Sequence, residues 1–153
     1  MANGTLGQSA LAANTDTTVY TSGTETVTFT VTVAGGKLVI DGVSQDTLTL
    51  REGSTYTFDQ SDATNATHPL RLSTTADGTH GGGSEYTTGV TTNGTPGSSG
   101  AYTRIVVATG APTLYYYCSA HAAMGGTANT SANTVTSSTV NVSMINKGAS
   151  PAA

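Results

Sequence analysis

Four side chains in this sequence have the chemistry to share one soft metal ion. Cys118, His121 and Met124 lie within the run Tyr115-Tyr116-Tyr117-Cys118-Ser119-Ala120-His121-Ala122-Ala123-Met124, directly before Gly125-Gly126. A thiolate, an imidazole and a thioether thus follow one another at a spacing of three. A second imidazole, His68, stands far upstream, just before the short apolar segment that starts at Leu70. Two His and one Cys in a plane, with a distant axial Met, suit copper. The sulfur ligands favour Cu(I), and the imidazoles accept either oxidation state. A frame held between the two preferences needs little rearrangement when an electron moves. The alternative is a metal-free cluster of the same residues, because a free Cys commonly packs as a small hydrophobe and a Met fills core space.

Such a set needs strands to aim it. Val27, Phe29, Val31 and Val33 alternate with Thr28, Thr30 and Thr32, the period-two pattern of a half-buried strand. Gly35-Gly36 and Asp41-Gly42 offer the positive φ that tight hairpin turns require. Leu48 and Leu50, then Tyr56 and Phe58, alternate with threonines on either side of an Arg51-Glu52-Gly53 turn. Further strands are expected over 70–73, 102–107 and 114–118, with a polar stretch from Met124 to Asn133 and a closing strand over 135–145. Residues 74–100 read as one long loop, dense in Gly, Thr and Ser. Many short strands with regular turn signals and no convincing helix predict an all-β sandwich or barrel. The expected organisation is an arm over 1–16, a β-sandwich over 17–146 and a tail over 147–153.

Composition narrows the function classes. Charged residues are 9% of the 153, with only five Lys and Arg and a net charge of −4. Nucleic acid and anionic membrane surfaces are therefore not expected partners, since both require clustered basic residues. The one cysteine excludes an internal disulfide, and no signal-type segment opens the chain, so synthesis in a cytoplasm is expected. No Gly-x-Ser-x-Gly elbow, phosphate loop or EF-hand spacing is present. His80, in Asp77-Gly78-Thr79-His80-Gly81, reads as a solvated loop histidine, and Tyr116 as a packing residue on the face of Cys118.

The Cys-x-x-His-x-x-Met spacing after an aromatic strand resembles the ligand loop of cupredoxins, in the short form of the amicyanin type. The 48–58 strand pair resembles the one that leads to the first histidine of that family, and His68 matches that histidine. The resemblance implies a Greek-key β-sandwich and one type 1 copper held by His68, Cys118, His121 and Met124. Two features depart from the family pattern. Pro69 follows His68 where many members have Asn, and Pro has no N–H to offer the cysteine sulfur. A polar insertion also follows Gly126.

A second resemblance is to virion proteins of marine cyanophages. It is carried by Leu6-Gly7-Gln8-Ser9, by Val19-Tyr20 and by the 68–118 run with its Gly81-Gly82-Gly83-Ser84-Glu85-Tyr86 loop. It implies a capsid decoration, fibre or tail-associated protein, made in the host cytoplasm and present on the virion in multiple copies or as a homo-oligomer beside capsid or tail proteins. The alternatives are a soluble blue-copper electron-transfer protein and a host-surface or glycan-binding module that reads with loop 74–100. Catalysis is not expected, because four protein ligands leave no open position for substrate.

Overall fold

A computed structural model describes residues 23–133. The expected arm over 1–16, the closing strand over 135–145 and the tail over 147–153 lie outside the described residues. Ten strands form two mixed sheets in a sandwich-like arrangement, and the fold is all-β as expected. They are β1 (Thr26–Ala34), β2 (Lys37–Ile40), β3 (Val43–Ser44), β4 (Leu48–Arg51), β5 (Thr55–Asp59), β6 (Leu70–Ser73), β7 (Val90–Asn93), β8 (Tyr102–Val106), β9 (Leu114–Cys118) and β10 (Gly126–Ser131). A single 3-10 turn, Ala63–Asn65, follows β5. Among the described residues no helix is long and apolar enough to cross a membrane.

One sheet runs β3-β2-β1-β5-β8-β7 and the other β4-β10-β9-β6. Each contains one parallel pair, β1 with β5 and β4 with β10. The two glycine-bearing turns form as their sequences require. Gly35 and Gly36 close β1 onto β2, both with positive φ, and Asp41-Gly42 closes β2 onto β3 in the same way.

The alternating residues supply the core. Val31, Leu48, Leu50, Tyr56, Phe58, Leu70, Leu72, Ile105, Leu114 and Tyr116 are buried, with Val27, Phe29 and Val33 packed against them. Phe29 stacks on Tyr56 and tilts against Phe58, with ring centroids 5.9 and 5.4 Å apart. Phe58 reaches across to Tyr116 of the opposite sheet at 6.3 Å. Tilted and offset ring pairs of this kind add to the area they bury. Tyr116 is a packing residue, as expected, and its hydroxyl donates to the Asp46 carbonyl at 2.7 Å.

Two expectations are corrected. The polar stretch after Met124 is a strand: β10 lies between β4 and β9 and bonds to both. There is accordingly no insertion after Gly126. Its apolar signal is weak because small residues must make room there. A Cβ on Gly126 would stand 2.5 Å from the Tyr116 hydroxyl, and Ala128 is the buried residue of the strand. The 74–100 segment is not one loop either. Ser73 bridges Glu85, β7 pairs with β8, and residues 75–83 coil tightly through bonds such as Gly83 N–H to Gly78 O at 2.9 Å. That coil covers the outer side of β9. Tyr117 is therefore buried as well as Tyr116, and the strand has no solvent face at its end.

The junction between Met124 and β10 tests this packing. A Cβ on Gly125 would fall 1.7 Å from the Tyr116 carbonyl oxygen, a backbone atom that cannot swing away. Gly125→Ala is expected to destabilise the fold by about 2 kcal/mol or more. Thermal unfolding checks this, and an unchanged midpoint would contradict the packing of β9 against the Gly125 turn.

Candidate metal centre

Strand pairing brings the first two ligand candidates together. β6 and β9 are antiparallel with Leu70 opposite Cys118. The ladder continues one step further, as the Ser119 N–H donates to the Pro69 carbonyl at 2.9 Å. In such a register the residues before Leu70 and those after Cys118 leave the sheet at the same end. His68 thus meets the 119–124 loop without any further device.

The backbone of His68 is held on both sides. Its N–H donates to the Asn65 carbonyl at 2.8 Å, and its carbonyl accepts from Gln60 Nε2 at 2.9 Å. The Leu70 N–H donates to Gln60 Oε1 at 3.1 Å, so the one buried amide brackets Pro69. Thr103 of β8 donates to the Leu70 carbonyl at 2.8 Å. Asn65 is anchored in turn, since its Nδ2 donates to the Val31 carbonyl at 2.7 Å. Polar bonds from Gln60, just after β5, and from Asn65 in the 3-10 turn therefore fix His68, while pairing of β9 with β6 fixes Cys118.

His121 completes a cluster that could hold a metal ion. Cys118 Sγ lies 3.8 Å from His68 Nδ1 and 3.7 Å from His121 Nδ1, and the three ligand atoms fall within 4.8 Å of one another. The two imidazole rings are tilted, with centroids 4.6 Å apart. A first-row ion with M–S of about 2.3 Å and M–N of about 2.0 Å separates S and N by about 3.5 Å at tetrahedral angles and about 3.7 Å at trigonal ones. The observed spacings sit at the trigonal end. The His68, Cys118 and His121 donors could therefore hold a metal ion.

Burial is graded across the site. Cys118 is fully buried, His68 half-buried and His121 exposed. Burial, and then the neighbouring imidazole of His121, hold His68 below the ordinary histidine range. That favours the neutral imidazole, which is the form that ligates. Among the described residues the two imidazole nitrogens are the only hydrogen-bonding atoms at Sγ, and no backbone N–H reaches it. Met124, three residues beyond His121, is 2% exposed and belongs to the core cluster. Its carbonyl accepts from the Leu38 N–H at 2.9 Å, which ties the end of the ligand loop to β2.

Two residues near the site had been less telling in sequence. His80 is exposed, as a solvated loop histidine would be, but it is not free of the site. Its Nε2 stands 3.1 Å from the Cys118 carbonyl, and its ring meets Tyr117 edge-on at 6.4 Å. Because a carbonyl only accepts, Nε2 carries the proton. Gln60 carries a signal of its own in the sequence. It continues the Tyr56–Phe58 alternation by one step, and a polar residue in register with a buried face needs internal partners.

No family model matches the chain, and no curated protein matches it significantly. The chemistry of the site therefore rests on its own geometry, and Gln60 provides a test. Gln60→Ala leaves the buried Leu70 N–H without an acceptor, at an expected cost of about 1–3 kcal/mol. It also frees His68, and loss of an outer-shell partner weakens metal binding by roughly 10–100-fold. Competition titration against a chelator checks the second effect. Wild-type affinity in a folded Gln60→Ala variant would contradict the positioning role.

Proposed function

We propose that this protein is a cupredoxin-like copper-binding domain, in which His68, Cys118 and His121 would hold the ion, with Met124 as the fourth ligand that the sequence pattern supplies. The observation that carries the reading is the convergence of two imidazoles on one buried sulfur, with Sγ–Nδ1 spacings of 3.8 and 3.7 Å, close to the S–N separation of two ligands on one ion. Thiolate and imidazole donors together select copper or zinc over hard cations, and a Cys-His-His set followed in sequence by a Met favours copper. Bound copper would supply a one-electron couple. The chain's own residues do the rest. Buried Cys118 keeps its sulfur away from solvent, Gln60 and Asn65 hold His68 in place, and exposed His121 provides the ligand edge nearest to any redox partner.

The setting we propose for this domain is a virion surface, where it acts as a decoration, fibre or tail-associated accessory in many copies. That placement rests on the cyanophage-like segments in the sequence, and a sparsely charged Thr- and Gly-rich β module is compatible with it. Proteomic analysis of purified particles would find it at high copy number, and its absence from them would remove the virion reading while leaving the copper reading intact. The exposure of His121 favours a second reading, a free electron-transfer protein.

Equilibrium dialysis tests the copper assignment. Wild type is expected to bind one copper per chain. His68→Ala and His121→Ala are expected to weaken binding by more than the roughly 10–100-fold that an outer-shell change costs. Equal binding by wild type and both variants would contradict the ligand set.

A further inference from the structure

The 75–83 coil touches the ligand loop at both ends with two of its side chains. The His80 imidazole donates to the carbonyl of Cys118, where the loop begins, at 3.1 Å. The Asp77 carboxylate accepts the Ala123 N–H at 2.8 Å, one residue before Met124. The coil is itself rigidly built. Gly78 N–H bonds to the Thr75 carbonyl at 2.9 Å, and the His80 N–H to the Asp77 carbonyl at 3.1 Å. Gly78 lies flat against Tyr117, where a Cβ would fall 2.4 Å from the ring. The coil is thus seated on the strand that ends in Cys118.

Ala123 shows what the contact achieves. It has φ +60, a left-handed conformation that a residue with a Cβ seldom adopts unaided. All of its backbone polar groups are engaged by side chains distant in sequence. Its N–H goes to Asp77, and its carbonyl accepts from Lys37 Nζ and, at 3.4 Å, from Gln45 Nε2. Gln45 Nε2 also donates to the Gly125 carbonyl at 2.6 Å. The β1–β3 hairpins thus hold one side of the loop end and the coil holds the other. A left-handed residue persists only when its surroundings over-determine it, and here they do.

We propose that the 75–83 coil is a staple that holds the 118–124 loop in its ligating shape before any metal arrives, with Asp77 and His80 as positioning residues. This deepens the copper reading and rests on it for its consequence, but the staple itself is a property of the metal-free chain. With the loop held, His121 stays beside Cys118, so release of the metal requires the staple to open. Asp77 acts as an acceptor, so Asn, which keeps the side-chain oxygen, substitutes for it while Ala does not.

The test compares Asp77→Ala, Asp77→Asn and His80→Ala in the full chain. In the metal-free protein, amide exchange at Ala123 is expected to be about tenfold faster in Asp77→Ala, the effect of losing one hydrogen bond to a charged group. Asp77→Asn, which keeps a neutral acceptor, should exchange at a rate between those of Asp77→Ala and wild type, and closer to wild type. After loading with copper, Asp77→Ala and His80→Ala are expected to lose the ion to excess chelator about tenfold faster and to shift the thiolate charge-transfer band, with Asp77→Asn restoring both. If Asp77→Ala fails to fold, His80→Ala, altered at an exposed side chain, carries the comparison. Wild-type exchange at Ala123 in Asp77→Ala, or wild-type release and spectrum in both alanine variants, would overturn the staple. Failure of wild type to take up copper would overturn the copper reading alone, and the exchange measurement would still decide the staple.

Discussion

The antiparallel register of β6 on β9 is the constraint on which the site depends. Leu70 opposite Cys118, followed by the Ser119 to Pro69 bond, brings two chain segments fifty residues apart out of the sheet side by side. A slip of one residue would turn every side chain of β6 to its other face. Leu70 and Leu72 would leave the core, and His68 would no longer meet the sulfur. The buried leucines and the bracket made by Gln60 both oppose that slip. Core packing and ligand placement are therefore enforced by the same contacts.

Placement of the sulfur follows a similar logic. A cysteine at the last position of a strand buried on both faces is shielded from water, while the loop after it is free to turn. That loop is held by bonds to its backbone rather than by packing of its short side chains, since Ala120, Ala122 and Ala123 offer little to pack. Pro69 adds a chemical consequence. With no backbone N–H at Sγ among the described residues, a thiolate there keeps its full electron density. Hydrogen bonds around the cysteine sulfur tune the potential of such centres. In the proposed copper centre their absence would favour the oxidised form and lower the potential relative to a centre that has them.

Sequence alternation made much of this legible. β1, β4 and β5 follow the Val, Leu and aromatic periodicity, and the two glycine turns occur where positive φ was required. The order His68, Cys118, His121, Met124 points to one site, and the structure brings both histidines to the Cys118 sulfur. What could not be read has a common physical cause. β10 is held by backbone pairing and must be small to admit Tyr116, so it carries almost no apolar pattern. The 75–83 coil gets its order from glycine turns and main-chain bonds, which look like loop composition. The contacts of Asp77, Lys37 and Gln45 with Ala123 span 46, 86 and 78 residues, and no local spacing announces them.

The central claim is that Cys118 places a thiolate on copper between two imidazoles. The most direct measurement is the visible absorption spectrum of the purified protein titrated with Cu(II), repeated on Cys118→Ser. An intense thiolate-to-copper charge-transfer band that saturates at one equivalent, and is lost in Cys118→Ser, is the predicted result. A wild-type spectrum with no such band, or a band that survives in Cys118→Ser, would contradict it.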